Sequence, residues 1–382
     1  MKPLPHLLAA AILAALSAPA FAETSFDVIG GSEISFEGLL QSDYNKYNND
    51  IANLDGSAAD GSDSDSDLRR AELVFKGKGP GQWNWVLGYD AKANKFLDVN
   101  VAYKFDGYTT LTVGQSKQPN SLEELSSTKN NDFIAKALAT NLYGVARRTG
   151  VSLGTGGESW TLTGSVFGRE LTRNLANGNG YGARFTWRPI GEEGSFLHLG
   201  LSAVDFAAKD ATGDDRARLR ARPGADLAGT RLIDSGQFSD ADRLRTLGFE
   251  AAWVHGPFKL QSEYMSNTVS RNLNPDFSGN SWYVSGLWNL TGETWGYKSG
   301  VITTGLPDEP ATGMWQLGIR YDRADLNDGL VRGGTERNLT VGVNWYWRSN
   351  FKFALNYVDV QSKRGVIQDD PSIVELRAQI YW

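Results

Sequence analysis

Four arginines, Arg216, Arg218, Arg220 and Arg222, occupy every second position of a short stretch that ends at Pro223. In an extended chain their side chains fall on one edge, roughly 7 Å apart. A guanidinium stays charged at any relevant pH, and its fork of donors matches phosphate and carboxylate oxygens. Such a row could pass an anion from one donor set to the next. The same pattern also fits a basic, solvated loop, because blocks of like charge usually stay exposed. Other chemistry is thinly represented. The chain has no Cys, which removes disulfides, thiolate zinc sites and cysteine nucleophiles together. Beyond the first 22 residues the histidines are His198 and His255, and neither sits in a recognisable nucleophile motif with Ser and Asp. Both read as wall or turn residues, and no cofactor is implied.

The elements that would position the arginines begin after an export segment. Lys2, the apolar run Leu7 to Leu16 and the Ala20-Phe21-Ala22 site have the form of a signal peptide over 1–22. That leaves 23–382 as one unit, since no composition shift or linker divides it. The net charge of -6 argues against a nucleic-acid partner. No apolar stretch reaches the ~20 residues of a spanning helix, so a membrane could be crossed only with strands.

Strand patterning runs through the mature chain. Val374, Leu376, Ala378, Ile380 and Trp382 fall on one face, with Glu375, Arg377, Gln379 and Tyr381 on the other. Leu97, Val99, Val101, Tyr103 and Phe105 likewise oppose Asp98, Asn100, Ala102 and Lys104, and Tyr181, Ala183, Phe185 and Trp187 oppose Gly182, Arg184, Thr186 and Arg188. A soluble sandwich shares such alternation. Aromatic ends on the apolar faces and charges on the polar faces favour a transmembrane antiparallel β-barrel with a watery interior. Sixteen segments are expected: 32–44, 68–78, 82–92, 96–105, 108–116, 147–154, 158–168, 180–189, 195–206, 244–255, 257–268, 279–290, 314–323, 335–347, 350–360 and 372–382. Short connections alternate with longer ones, as periplasmic turns alternate with outer loops. Residues 291–313 break this rule, being long on the short-turn side, and are expected to fold inward. The acidic loop from Asn48 to Asp67 reads as solvated. Residues 117–146 are too long for a hairpin and imply a function.

The chain resembles the phosphate-selective porins O and P of Gram-negative outer membranes. The resemblance rests on Gly114-Gln115-Ser116-Lys117-Gln118-Pro119, Ser121-Leu122-Glu123-Glu124-Leu125-Ser126-Ser127, Phe133-Ile134-Ala135-Lys136-Ala137-Leu138, Arg147-Arg148-Thr149-Gly150-Val151, the arginine ladder, Asn344-Trp345-Tyr346 and Leu376-Arg377-Ala378-Gln379. It implies an outer-membrane, trimeric all-β barrel whose third loop folds into the lumen, with arginines leading anions to a phosphate-binding waist. The implied partners are small anions such as phosphate and pyrophosphate, outer-membrane lipid and lipopolysaccharide, and further copies of the chain. Glu124 stands where a lysine is expected in strictly phosphate-selective members, and Ala135-Lys136 where they have a Glu-Arg pair. Both departures bear on phosphate specificity.

Passive diffusion follows as the expected mechanism, with Arg216, Arg218, Arg220 and Arg222 as an anion track. By strand phase, Lys104, Arg184, Arg188 and Arg320 line the lumen wall, and Lys117, Glu124, Ser126, Ser127 and Lys129 form the constriction. Each wall charge could instead sit in an ion pair, with Asp98, Glu250, Glu263 or Glu375 as candidate partners. Glu124 could pair with Lys117 or Lys129. A dicarboxylate channel or a weakly selective porin would use the same ladder, and an outer-membrane enzyme is the more distant alternative.

Overall fold

In the computed structural model, which describes residues 24–28, 32–56, 63–172, 177–192 and 194–382, sixteen antiparallel strands close into a barrel. They are β1 Ser32–Asn48, β2 Ser64–Lys78, β3 Trp83–Asp90, β4 Lys95–Lys104, β5 Thr110–Lys117, β6 Arg147–Gly156, β7 Trp160–Phe167 and β8 Gly180–Glu192. The second half comprises β9 Ser195–Ala207, β10 Ala241–His255, β11 Phe258–Arg271, β12 Phe277–Asn289, β13 Met314–Asp328, β14 Val331–Trp347, β15 Phe351–Arg364 and β16 Ser372–Tyr381. Closure is made by β1 against β16, with Leu39 opposite Tyr381 and Asn48 opposite Ser372. Closure leaves no unpaired edge, which is what permits a sheet to stand in lipid.

The period of two sets the two faces. In β14, Glu336, Asn338, Thr340 and Asn344 are buried inside while Leu339 and Val341 are exposed outside. Aromatic side chains collect at the turn end of the outer face, where Trp83 packs on Tyr103, Phe258 on Trp288 and Trp315 on Trp345. A second group, including Trp282 with Tyr321 and Tyr89 with Phe96, lies towards the loop end. These two belts mark the membrane interfaces.

Three expectations change. Leu97 is buried on the inner side although Val99 and Val101 face out, because the β3–β4 register shifts between Leu87 and Tyr89. A bulge places two successive residues on one side, and a strict alternation cannot foresee it. The connection between β13 and β14 is not a long loop: pairing runs out to Asp328 opposite Val331, leaving a tight turn at Gly329 and Leu330. The acidic stretch also becomes ordered earlier than expected, since Ser64 to Asp67 already belong to β2. Residues 1–22, read as an export segment, lie outside the described residues. Ahead of β1, Thr24–Val28 pairs antiparallel with Ser32–Phe36.

Candidate functional site

Three segments fold into the barrel, and the inward polar residues of the wall hold them there. The first is 118–146, containing the short helices α1 Leu122–Leu125 and α2 Leu138–Tyr143. A loop inside a barrel must find partners for its own peptide groups. Wall side chains supply them. Glu263 accepts from the backbone of Leu122 and Glu123, both at 2.8 Å. Asn356 accepts from Ile134 at 2.7 Å, and Asp322 from Leu138 at 3.1 Å. Arg320 donates to the Ala135 carbonyl at 2.9 Å, Arg377 to Ile134 at 3.0 Å and Asn344 to Asp132 at 2.7 Å. Phe133 lies against a window of glycines: a Cβ at Gly318 would meet its ring at 3.0 Å, and one at Gly342 at 3.3 Å. The Arg320 guanidinium covers the same ring at 4.8 Å.

At the waist, cations are matched to carboxylates. Glu124 pairs with Lys136, Lys129 with Glu37 at 3.1 Å, and Lys259 with Asp132 at 2.7 Å. Lys117 donates to the carbonyls of Glu124 and Ser126, the latter at 2.9 Å. Burial pushes the Glu124 carboxyl upward, but Lys136 and Lys117 beside it outweigh that and hold it below its usual range. Ser126 turns its hydroxyl back on the Leu122 carbonyl at 2.8 Å, while Ser127 is exposed to the lumen.

The second inward segment carries the arginines. Residues 216–238 form a hairpin in which Arg220 is opposite Asp234 and Ala217 bridges Phe238. Ala217, Leu219 and Ala221 are buried against α2 and the wall residues Met265, Val269 and Phe277. The alternate residues Arg216, Arg218, Arg220 and Arg222 are therefore exposed along one edge. The hairpin tip crosses to the opposite wall, where Ala225, Ala228 and Leu232 pack with Tyr47, Val358 and Ile373. Asp226 locks it there through Arg69 at 2.9 Å. Burial raises the Asp226 carboxyl, yet Arg69 and Arg377 pull it below the usual range.

Within the ladder the charges are unequally compensated. Arg218 holds Asp234, with Nε at 2.8 Å from Oδ1. Arg216 reaches Asp210 at 3.3 Å and Asp214 at 3.4 Å, and Arg222 donates to the Ala228 carbonyl at 2.7 Å. No carboxylate lies within ion-pair distance of Arg220 among the described residues. Arg231 joins the group: burial first, then the charges of Arg222 and Arg220, lower its guanidinium from the ordinary value.

The third inward segment is the hairpin Trp295–Lys298 with Val301–Thr304. Trp295 and Ile302 are buried with Phe196, Val254, Leu287 and Leu122, so this hairpin rests on the wall and on α1. A cavity of about 60 Å³ between it and the third loop is lined by Glu123, Ser126, Ser127, Asp132, Lys259 and Thr303 among others.

A barrel with a polar interior narrowed by inward loops has the architecture of a diffusion channel, and the sequence comparison assigns the type. Residues 38–382 match the family described as phosphate-selective porin O and P. The chain belongs to that family. It is therefore a porin of the outer membrane. Porin O of Pseudomonas aeruginosa is 24% identical over 424 aligned positions, covering 94% of this chain and 93% of that protein. An uncharacterised protein of Caulobacter vibrioides is 30% identical over 316 positions, or 76% of this chain; the match spans 62% of that relative, less than two thirds of its length. Among solved structures, the anion-selective porin from Comamonas acidovorans superposes with a TM-score of 0.57 at 12% identity, covering 92% of this chain and 100% of that one. OmpT of Vibrio cholerae gives 0.59 at 10% identity, covering 94% and 100%.

The structure distributes the expected site residues of this porin unevenly. The ladder is one exposed edge inside the lumen. Arg320 and Arg184 face inward as the strand phase requires, but neither is free: Arg320 is 1% exposed against Asp322, at 3.0 Å, and Glu123. Arg184 is forked on Glu250 at 2.6 and 2.8 Å and donates to the Gly300 carbonyl at 2.8 Å. Arg188 bonds the Glu158 carbonyl at 2.9 Å beside Tyr297, and Lys104 ends β4, exposed at the periplasmic turn. The Glu124 carboxylate takes Lys136, while Lys117 donates to the Glu124 and Ser126 carbonyls and Lys129 pairs with Glu37. His198 contacts Tyr297 at 2.8 Å and Glu250 at 3.3 Å, and His255 lies 3.2 Å from Ser195 in a rim turn. Arg231 and Asp226 escaped the sequence reading, since each lies outside the period-two run that singled out the ladder.

Proposed function

We propose that this porin conducts anions by passive diffusion, with phosphate and pyrophosphate or longer polyphosphates as its preferred class. The observation that carries this is the exposed guanidinium edge of Arg216, Arg218, Arg220 and Arg222, held across the lumen with Arg231 beside it and Arg220 uncompensated. Anions entering from outside meet this edge before the waist. The waist cations are each matched by a carboxylate or by carbonyls. Selection by steering and hand-over, with no single deep site, suits a pore that must also release its cargo. The names of porin O and of the anion-selective porin fit this reading, and a barrel with this lining needs no catalytic step. A carboxylated waist also fits a weakly selective porin, which is the second reading.

We assign residues 1–22 to export. A homotrimer is proposed as the working unit. Strands β3 to β7 run to only 8–10 residues, against 13–17 for β10 to β15, so this low wall suits contact with a second copy better than full exposure to lipid. OmpT of V. cholerae is described in a trimer form.

The deciding experiment is the reversal potential of the purified protein in a planar bilayer across a KCl gradient, followed by phosphate and pyrophosphate titration. Chloride selectivity with phosphate block, weakened in Arg218→Gln/Arg220→Gln, is the expected result. Cation selectivity, or conductance indifferent to phosphate, would reduce the ladder to a wall feature.

A further inference from the structure

Beneath the arginine hairpin, two inward residues of β14 form half of a hydrogen-bonded ring. Glu336 and Asn338 stand two positions apart on one face of the strand and are 1% and 0% exposed. The Asn338 amide Nδ2 donates to Glu336 Oε1 at 3.0 Å. The atoms left over, Glu336 Oε2 and Asn338 Oδ1, are both buried and have no hydrogen-bond partner. With Glu336 ionised both are acceptors, and buried acceptors without donors are costly. A proton on Oε2 turns that atom into a donor and supplies what Oδ1 lacks.

The arginine hairpin is the roof over this pair. A Cβ at Gly224 would meet the Asn338 amide nitrogen at 3.3 Å and Val358 at 3.0 Å, and one at Gly333 would meet the Ser235 Cα at 3.1 Å. The hairpin therefore rests on β14 on both sides of Glu336. Charged groups face the carboxyl from each neighbouring element. On β13, Asp322 is opposite Asn338 and holds Arg320 at 3.0 Å. On β15, Ser362 is opposite Glu336 with Arg364 next in phase, and Asp369 beyond it accepts from the backbone of Ile51 and Ala52. In the hairpin, Asp234 holds Arg218 and is opposite Arg220. No cation lies within ion-pair distance of Glu336 among the described residues.

Glu336 also stands clear of the hydrocarbon. Leu339 is opposite Tyr321, which packs on Trp282 in the outer belt, and on its other side is Asp359. Beyond that level the outward residues Arg337 and Arg323 are charged, so Glu336, three positions further out than Leu339, lies outside the membrane-spanning part of β14. Burial, with the Asp322 charge adding to it and the Asn338 hydrogen bond opposing it, pushes the Glu336 carboxyl up to about 8.

We propose that Glu336 is a proton-binding site that sets the charge beneath the ladder. Neutral Glu336 closes an acid–amide ring with Asn338 and leaves Arg220 uncompensated. Loss of the proton to water places a carboxylate under the arginine edge and weakens its hold on anions. The regulatory role rests on the ladder being the anion track, whereas the proton site does not. A carboxyl raised in the folded state keeps its proton below the raised value and loses it above, so anions are held best below about 8.

The test follows the full-length porin from neutral to alkaline pH by infrared spectroscopy and, in planar bilayers, by phosphate block, beside Glu336→Gln, whose side chain keeps the shape of the neutral acid. At neutral pH the parent-minus-variant spectrum should contain a protonated-carboxyl band, replaced by carboxylate as pH passes about 8. Over the same range phosphate block should weaken about threefold more in the parent than in the variant, the effect of one unit charge roughly 10 Å away in a wet pore. Groups that titrate in both proteins cancel in that comparison. Gly224→Ala, which drives the hairpin tip off Val358 and Asn338, should admit water and convert the parental band to carboxylate at neutral pH, and it serves if Glu336→Gln does not fold. A carboxylate band at neutral pH in the parent-minus-variant spectrum, or a parental spectrum unchanged by Gly224→Ala, would overturn the proton site. A protonated band with the same block profile in parent and Glu336→Gln would overturn the regulatory role. The band without phosphate block at any pH would instead sink the anion track and the regulation built on it, leaving the proton site standing.

Discussion

Replacing Arg320 by Met separates a residue that anchors from one that conducts. Arg320 is buried, and its guanidinium is shared among Asp322 at 3.0 Å, Glu123 at 3.6 Å, the Ala135 carbonyl at 2.9 Å and the Phe133 ring at 4.8 Å. Removing one partner of a buried ion pair costs about 3–5 kcal/mol, mostly because the remaining carboxylates lose their counter-charge. Around residues 135–138 that cost raises the released population of the third loop at least a hundredfold. The loop stays tethered at Ile134 by Asn356 and Arg377. Single-channel recording should then show larger, noisier conductance with anion preference retained, because the arginine hairpin is untouched. Arg320→Lys keeps the charge but loses the fork, and should fall between. Quiet channels of parental conductance with reduced anion preference would refute the anchoring role and return Arg320 to the anion path.

Within the ladder, Arg220→Gln should weaken phosphate block more than Arg218→Gln, since Arg218 is already offset by Asp234; block constants from bilayer titrations decide this. Asp234→Asn should act oppositely and tighten the block. At the waist, Glu124→Gln frees the charge of Lys136 and should shift the reversal potential towards anions, whereas Lys136→Gln should shift it towards cations. Deleting 295–304 should raise conductance, because that hairpin occupies the lumen below α1. Docking of the ladder tip depends on pH with a definite sign. The Asp226 carboxyl is lowered in the folded state, so its contribution is complete above the usual carboxylate value and is lost as pH falls through the lowered one. Gating noise should therefore grow only in strongly acidic solution, and Asp226→Asn should show that noise at neutral pH.

The ladder was legible because its information is local: alternate residues must take opposite sides of an extended segment, and Ala217, Leu219 and Ala221 did bury the side the arginines left. The inward turn of 291–313 was legible from its length on the short-turn side. The bulge at Leu97 was not, since one extra residue resets the phase without any mark in composition. The constriction was legible as a segment but not as a set of contacts, as Glu124 with Lys136 shows.

Taken alone, the sequence determined how many barrel strands there are and, apart from the bulge at Leu97 and the tight β13–β14 turn, which residues face lipid or the interior and where the turns lie, because these depend on neighbours one or two positions apart. It could not determine whether an inward charge meets an ion, a carboxylate or a loop peptide. Arg377 finds Asp43 at 2.7 Å across the barrel seam, Arg184 finds Glu250, and Arg320 finds a loop nearly two hundred residues earlier in the chain. Such partners are chosen by barrel closure and by the path of the inward loops. A wall charge buried beneath a loop must be paired to remain charged, whereas one left in the open lumen need not be, and only the tertiary structure decides which wall residues the loops cover.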